Sequence, residues 1–168
     1  MEDWRFTAKA IVQYDKIDID NNELQKYWTS ISDIGKVYNN KIITYEDYKS
    51  VEKKYTDSVI LISKHFNNSY FLLSNLFLYS DINDFKSTHN IEVLETFTNL
   101  KEETYDIKFL EDVIKLNLRE HINCEIVLDP SSETIIRFGY DYYMYINSNI
   151  NLDSIFDRIR KETGLYVW

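Results

Sequence analysis

From Ile135 to Ile146 the chain reads IIRFGYDYYMYI, an aromatic run broken by one glycine and one carboxylate. Its β-branched and aromatic content fits a pleated strand. Side chains alternate faces along a strand. Ile136, Phe138, Tyr140, Tyr142, Met144 and Ile146 therefore share one face, which reads as core. Ile135, Arg137, Gly139, Asp141, Tyr143 and Tyr145 share the other, a sticky surface where it meets solvent. A strand this apolar on both sides belongs inside a sheet, because a long exposed edge invites pairing with other chains. Asp141, set among tyrosines, reads as a satisfied strand carboxylate, or as one desolvated or bonded to a tyrosine hydroxyl or to Arg137.

The rest of the chain supplies partners for that strand. Trp4, Phe6, Ala8, Ala10 and Val12 alternate with polar residues, as in a half-buried first strand that only Ile11 interrupts. Asp20-Asn21-Asn22-Glu23 resembles a capping box, and Leu24, Tyr27, Trp28, Ile31 and Ile34 then recur at helical spacing up to Gly35. A second helix starts at Thr44, with Asp47 three residues on and a stripe of Tyr48, Val51, Tyr55, Val59, Ile62 and Phe66. Asn67-Asn68-Ser69 stops it. Tyr70–Tyr79 is too apolar for periodicity to decide, and its length and aromatic content favour a strand. Between Asp81 and Asn99 the pattern allows a short helix or loop, then a strand at Ile91–Phe97. A third helix spans Ile107–His121 with Asp106 as N-cap. Cys124–Leu128 and the long strand form a hairpin around Asp129-Pro130-Ser131-Ser132, and a last helix, Asp153–Glu162, ends at Gly164 before a strand at Leu165–Trp168. The expected fold is one α+β domain over residues 1–168, a mostly antiparallel sheet packed against helices.

Only three glycines and one proline are present, so turns must rely on Asn, Asp and Ser, and no flexible linker divides the chain. The net charge of −9 disfavours a nucleic-acid partner, whose phosphates require a dense basic patch. It suits solubility, or a basic partner protein. The N-terminus lacks the basic and apolar regions of a signal peptide, and no apolar run approaches the ~20 residues that span a bilayer; the expected location is the cytoplasm. Cys124 stands alone and reads as a buried structural thiol.

Chemistry-bearing patterns are scarce. His65, His89 and His121 belong to no HExxH or His-x-His group and read as structural or surface residues. Asp18-x-Asp20-x-Asn22 resembles half a calcium loop, but Glu23 and Thr29 stand where glycine and a bidentate Glu are required. No GxGxxG, Walker or GxSxG motif occurs. No catalytic residue, metal ligand or cofactor is therefore expected.

LREHINCEI (Leu118–Ile126), followed by IIRFGYDYYMYI, resembles small bacterial immunity proteins of polymorphic and contact-dependent growth inhibition systems. The resemblance implies a non-catalytic protein, monomeric or weakly dimeric. Such a protein binds the C-terminal domain of a cognate toxin, for which an acidic neutraliser suits a basic nuclease. The expected contact residues are Asp141, Tyr143 and Tyr145 where their face is open, and otherwise Asp81, Asp84, Glu102, Glu103 and Asp106. Two other classes fit the same residues: a small cytoplasmic enzyme with a dispersed carboxylate site, and a homo-oligomeric adaptor using the tyrosine face.

Overall fold

The computed structural model describes residues 8–21, 27–86, 90–140 and 142–168. Its frame is a seven-stranded antiparallel sheet in the order β5-β4-β6-β7-β8-β1-β9. In chain order the strands are β1 (Lys9–Val12), a separate hairpin of β2 (Val37–Tyr38) and β3 (Lys41–Ile42), then β4 (Tyr70–Leu78) and β5 (Thr104–Asp106). They continue with β6 (Ile122–Asp129), β7 (Thr134–Phe138), β8 (Met144–Asn147) and β9 (Tyr166–Val167). The helices are α1 (Lys16–Asp20), α2 (Tyr45–Phe66), α3 (Ile82–Lys86), α4 (Leu94–Thr98), α5 (Leu110–Leu118) and α6 (Asp153–Thr163). The architecture is α+β, with α2, α5 and α6 packed together over the sheet.

Local signals account for the long helix. The Thr44 hydroxyl accepts from Asp47 N and the Asp47 carboxylate accepts from Thr44 N at 3.0 Å, a reciprocal cap that satisfies two backbone donors at the start of α2. Asn67, left-handed at φ +53°, ends it. Tyr48, Tyr55, Val59 and Ile62 on its inner stripe are fully buried; each such side chain contributes about 1.5–3 kcal/mol by leaving water. Against them pack Leu73, Ile126, Ile136, Met144, Ile114 and Ile159, all within one core. Asp106 caps the turn leading into α5 through Lys108 N, and Gly164 ends α6 at φ +72°.

Three expectations fail. Ile135–Ile146 is not one strand but β7 and β8, paired with each other as Ile136↔Ile146 and Phe138↔Met144. Gly139 N donates to Tyr143 O at 2.7 Å and Tyr143 N to Tyr140 O at 3.1 Å, closing the turn between them. A Cβ on Gly139 would sit 2.9 Å from the Tyr145 ring, so the glycine of this turn leaves room for that side chain. The face assignment survives for most residues because even-numbered residues oppose even-numbered ones in this register: Ile136, Tyr142, Met144 and Ile146 are buried. Tyr140 does not follow; at the turn tip it is 87 % exposed. The segment still lies inside the sheet.

The second failure is the helix expected up to Gly35. Tyr27–Thr29 are not helical, and only a 3₁₀ turn, Ile31–Asp33, forms. The Asp33 carboxylate accepts from Thr29 N, Ser30 N and Lys36 Nζ, so a capping box at Ser30 begins a new element where a helix interior was expected. Trp28 and Ile31 are consequently only partly buried against the core. Trp4 and Phe6, and Asn22, Glu23 and Leu24, lie outside the described residues. The third failure is the strand at Ile91–Phe97, which is a 3₁₀ turn followed by α4.

Candidate interaction surface

β4 has one face on the core and one in solvent. Phe71 and Leu73 are buried, while Tyr70 and Leu72 point outward. Midway the register to β6 shifts: Ser74 opposes Glu125, yet Phe77 opposes Asn123. The extra residue is a bulge at Asn75, which holds φ +52°. A bulge reverses the alternation, so Phe77 and then Tyr79 join Tyr70 and Leu72 on the outward face. Phe77 is 60 % and Tyr79 53 % exposed, with ring centroids 5.0 Å apart.

The strand's outer edge is only partly covered. β5 pairs with Tyr70–Leu72, and Leu73 N donates to Glu103 O at 3.0 Å. Beyond that, the Glu102 carboxylate accepts from Leu76 N at 2.7 Å. From Ser74 to Leu78 no further strand pairs with this edge among the described residues. The fringe is acidic: Glu102, Glu103 in an ion pair with Lys101 at 2.9 Å, and Asp106 opposite Tyr70. On the neighbouring strands, Glu125 is held by Arg137 at 2.6 Å, and Arg137 also donates to Asn147 at 2.9 Å.

The expected contact residues therefore divide. Glu102, Glu103 and Asp106 come together beside the apolar strip of β4. Asp81, exposed at the strand's far end, accepts from Asn83 N at the start of α3. The side chain of Asp84 and all of Asp141 and His89 lie outside the described residues. Tyr143 and Tyr145 form no open tyrosine face. They are half-buried and stacked at 5.9 Å; Tyr143 also meets Tyr14 at 6.0 Å and Trp168 at 6.1 Å. Arg137 turns to Glu125 and Asn147. The residues not anticipated are Tyr70, Leu72, Phe77 and Tyr79. Their signal was present in the excess of apolar residues over what one buried face needs, and in the lone Asn75 within the run.

A cleft lies beside Tyr79, at the end of this strip. It measures about 330 Å³ and runs between Tyr79 and Tyr140, with Ile122, Phe138, Glu120 and Asn123 along it. Glu120 stands where α5 ends: Glu120 N donates to Asn117 O and His121 N to Leu116 O, the paired bonds of a Schellman cap. Its φ of +60° is one that glycine or asparagine normally supplies.

Behind these surfaces runs a buried polar chain. Arg119 binds Glu52 bidentately, both bonds 2.7 Å, and also reaches Glu92 at 2.6 Å and Asn90 Oδ1 at 3.0 Å. Burial alone would lower the guanidinium pKa, but Glu52 outweighs it and the group is held above its ordinary value. Because Asn90 Oδ1 accepts from Arg119, its Nδ2 donates to His121 Nε2, 2.6 Å away. The His121 proton is then on Nδ1 and points to Ser80 Oγ at 2.8 Å. A serine, histidine and amide in line resemble a nucleophilic triad, but this tautomer donates to the hydroxyl and is not oriented to deprotonate it. Burial and the Arg119 charge push the His121 pKa down to about 4, which keeps the ring neutral. Cys124 is buried, takes a bond from Asn117 Nδ2, and its thiol pKa is pushed up to about 12 by burial. Among the described residues no group of three or more His, Cys, Asp or Glu could hold a metal ion, and no helix is long and apolar enough to cross a membrane.

Comparison with known proteins gives no match: no family model, no curated protein and no solved structure is similar to this chain.

Proposed function

We propose that this protein is a binding module that neutralises a partner protein, an immunity protein holding the C-terminal domain of a cognate toxin. The observation that carries the reading is the outward strip Tyr70, Leu72, Phe77 and Tyr79 on β4, with its incompletely paired edge and its fringe of Glu102, Glu103 and Asp106. Contiguous exposed apolar surface on a small domain marks a contact site. Tyrosines supply rigid area at the centre of interfaces. Acidic rims speed encounter with basic partners and reject acidic ones, and the net charge of −9 extends that steering over the whole molecule. The resemblance of Leu118–Ile146 to immunity proteins supplies the class of partner, and a basic nuclease domain is the one this charge suits. Such a protein would act in the cytoplasm, as a monomer or weak dimer.

Neutralisation depends on occupancy, so the complex should be nanomolar or tighter, about −12 kcal/mol or beyond. The test is co-expression with the variable C-terminal domain of a large secreted protein encoded beside this gene, read by pulldown and growth rescue. Retention and protection are expected, with association slowing as salt is added because screening acts over ~10 Å at 0.1 M. Failure of both would overturn the assignment. Concentration-dependent self-association abolished by Phe77→Ser would instead favour the adaptor reading.

A further inference from the structure

We propose that the cleft between Tyr79 and Tyr140 receives one cationic side chain, an arginine or lysine, of the bound protein. The proposal rests on the partner-binding reading above. The cleft, about 330 Å³, is continuous with the strip through Tyr79, whose ring neighbours Phe77. Its walls are two exposed aromatic faces, and its apolar lining is Ile122 and Phe138. A long basic side chain matches that order, with methylenes on apolar surface and the charge at the wet end. Cations within ~6 Å of an aromatic centroid are held by the ring quadrupole. Glu120 supplies the negative charge, and Asn123 Nδ2, donating to the Tyr79 hydroxyl at 3.5 Å, braces one wall. An anionic occupant would meet Glu120 and the overall charge of −9.

The backbone adds an independent argument. Glu120 occupies the left-handed position of the Schellman cap at φ +60°. Glycine would make the same turn without the Cβ conflict. Glu120 is thus held in a conformation that most residues avoid, and residues held in such conformations cluster at ligand-binding places.

The experiment titrates the full chain with N-acetyl-arginine amide, and separately with N-acetyl-citrulline amide, its neutral isostere. Backbone NMR shifts at Gly139, Asn123 and Tyr140 are the readout. Saturable shifts with the arginine probe are expected, with citrulline about tenfold weaker, as is typical when an ionic hydrogen bond is lost. Glu120→Gln should weaken the arginine response about as much. Glu120→Gly should weaken it too while melting no lower than the parent, which separates loss of the ligand group from loss of the fold. A silent titration, equal responses to both probes, or an unaltered response in Glu120→Gln would overturn the proposal. If the arginine probe binds but no toxin domain does, the cleft stands and the partner assignment falls. If a toxin domain binds parent and Glu120→Gln alike while the probe is silent, the cleft falls and the assignment stands.

Discussion

Around Arg119 the charges are answered from inside the fold: Glu52 meets the guanidinium bidentately, Glu92 and Asn90 accept further hydrogen bonds from it, and Asn90 passes the order on to His121 and Ser80. On the outward face of β4 the reverse holds. Tyr70, Leu72, Phe77 and Tyr79 leave apolar area in water, and the described residues do not cover it. Both regions run against the ordinary placement of residues, with charge inside and aromatics outside. The first is stable because Arg119, Glu52, Asn90 and His121 each have a partner, and its loss would be costly. The second is tolerated because exposed apolar side chains cost the folded state little relative to the unfolded one. A buried exception of this kind is anchored by structure, whereas the exposed one is the surface on which the proposed partner would dock.

The sharpest way to break the comparison is Glu52→Ala. It leaves Arg119 buried beside a missing charge, and unfolding in denaturant should show a loss of about 3–5 kcal/mol. A loss below 1 kcal/mol would mean the network is not a keystone. Next in size is the outer face: Phe77→Ser with Tyr79→Ser should reduce partner affinity by about 2 kcal/mol or more, roughly thirtyfold. Each change should move stability by no more than about 0.5 kcal/mol. If stability falls as far as affinity, the strip is core and not interface.

A smaller effect is expected from pH. An unfolded histidine takes its proton near pH 6.5 and folded His121 only near pH 4. Between those values the unfolded state binds more protons, so stability rises with pH across this window and falls on acidification. The amount should be about 1–2 kcal/mol, less than the full shift implies because solvent screens the open side of the ring. His121→Phe should flatten the profile between pH 6.5 and 4; an unchanged slope would show that other groups produce it. The smallest effect belongs to the bulge: Asn75→Gly, already left-handed at φ +52°, should alter stability by only a few tenths of a kcal/mol and leave binding intact. A larger loss would mean that the asparagine side chain, and not its backbone conformation, sets the position of Phe77.

Much of the frame was legible because its signals are local. Thr44 and Asp47, Asn67, Asp106 and Gly164 each act within one turn of chain, and each marks the boundary it was expected to mark. What escaped depends on distant neighbours. Tyr142 adopts φ +58°, against the preference of a bulky residue, and is held by burial: its ring stacks on Tyr55 at 5.4 Å and its carbonyl accepts the Tyr55 hydroxyl at 2.6 Å. Nothing beside Tyr142 in the chain announces that contact, so the turn at Gly139 read as continuous strand. Trp28 has the periodicity of a helix face, but the Asp33 carboxylate caps a new turn there instead. The surface was half legible. Glu102, Glu103 and Asp106 could be picked as acidic loop residues, while the strip beside them required knowing that β5 is short and that Asn75 reverses the alternation of β4.

The place of β1 has a consequence for how the chain is made. This strand's two sheet neighbours both lie far downstream of it: β8, through Lys9↔Ile146, and β9, through Ile11↔Val167. Both contacts close loops spanning most of the chain, and such long-range pairing slows folding toward the millisecond-to-second range. During translation Ile11 and Val12, fully buried in the finished protein, must wait without their sheet partners until β8 and β9 emerge. The nascent chain thus carries an unpaired apolar strand from the emergence of β1 until that of β8, and a ribosome stalled between the two would display it with no sheet to join.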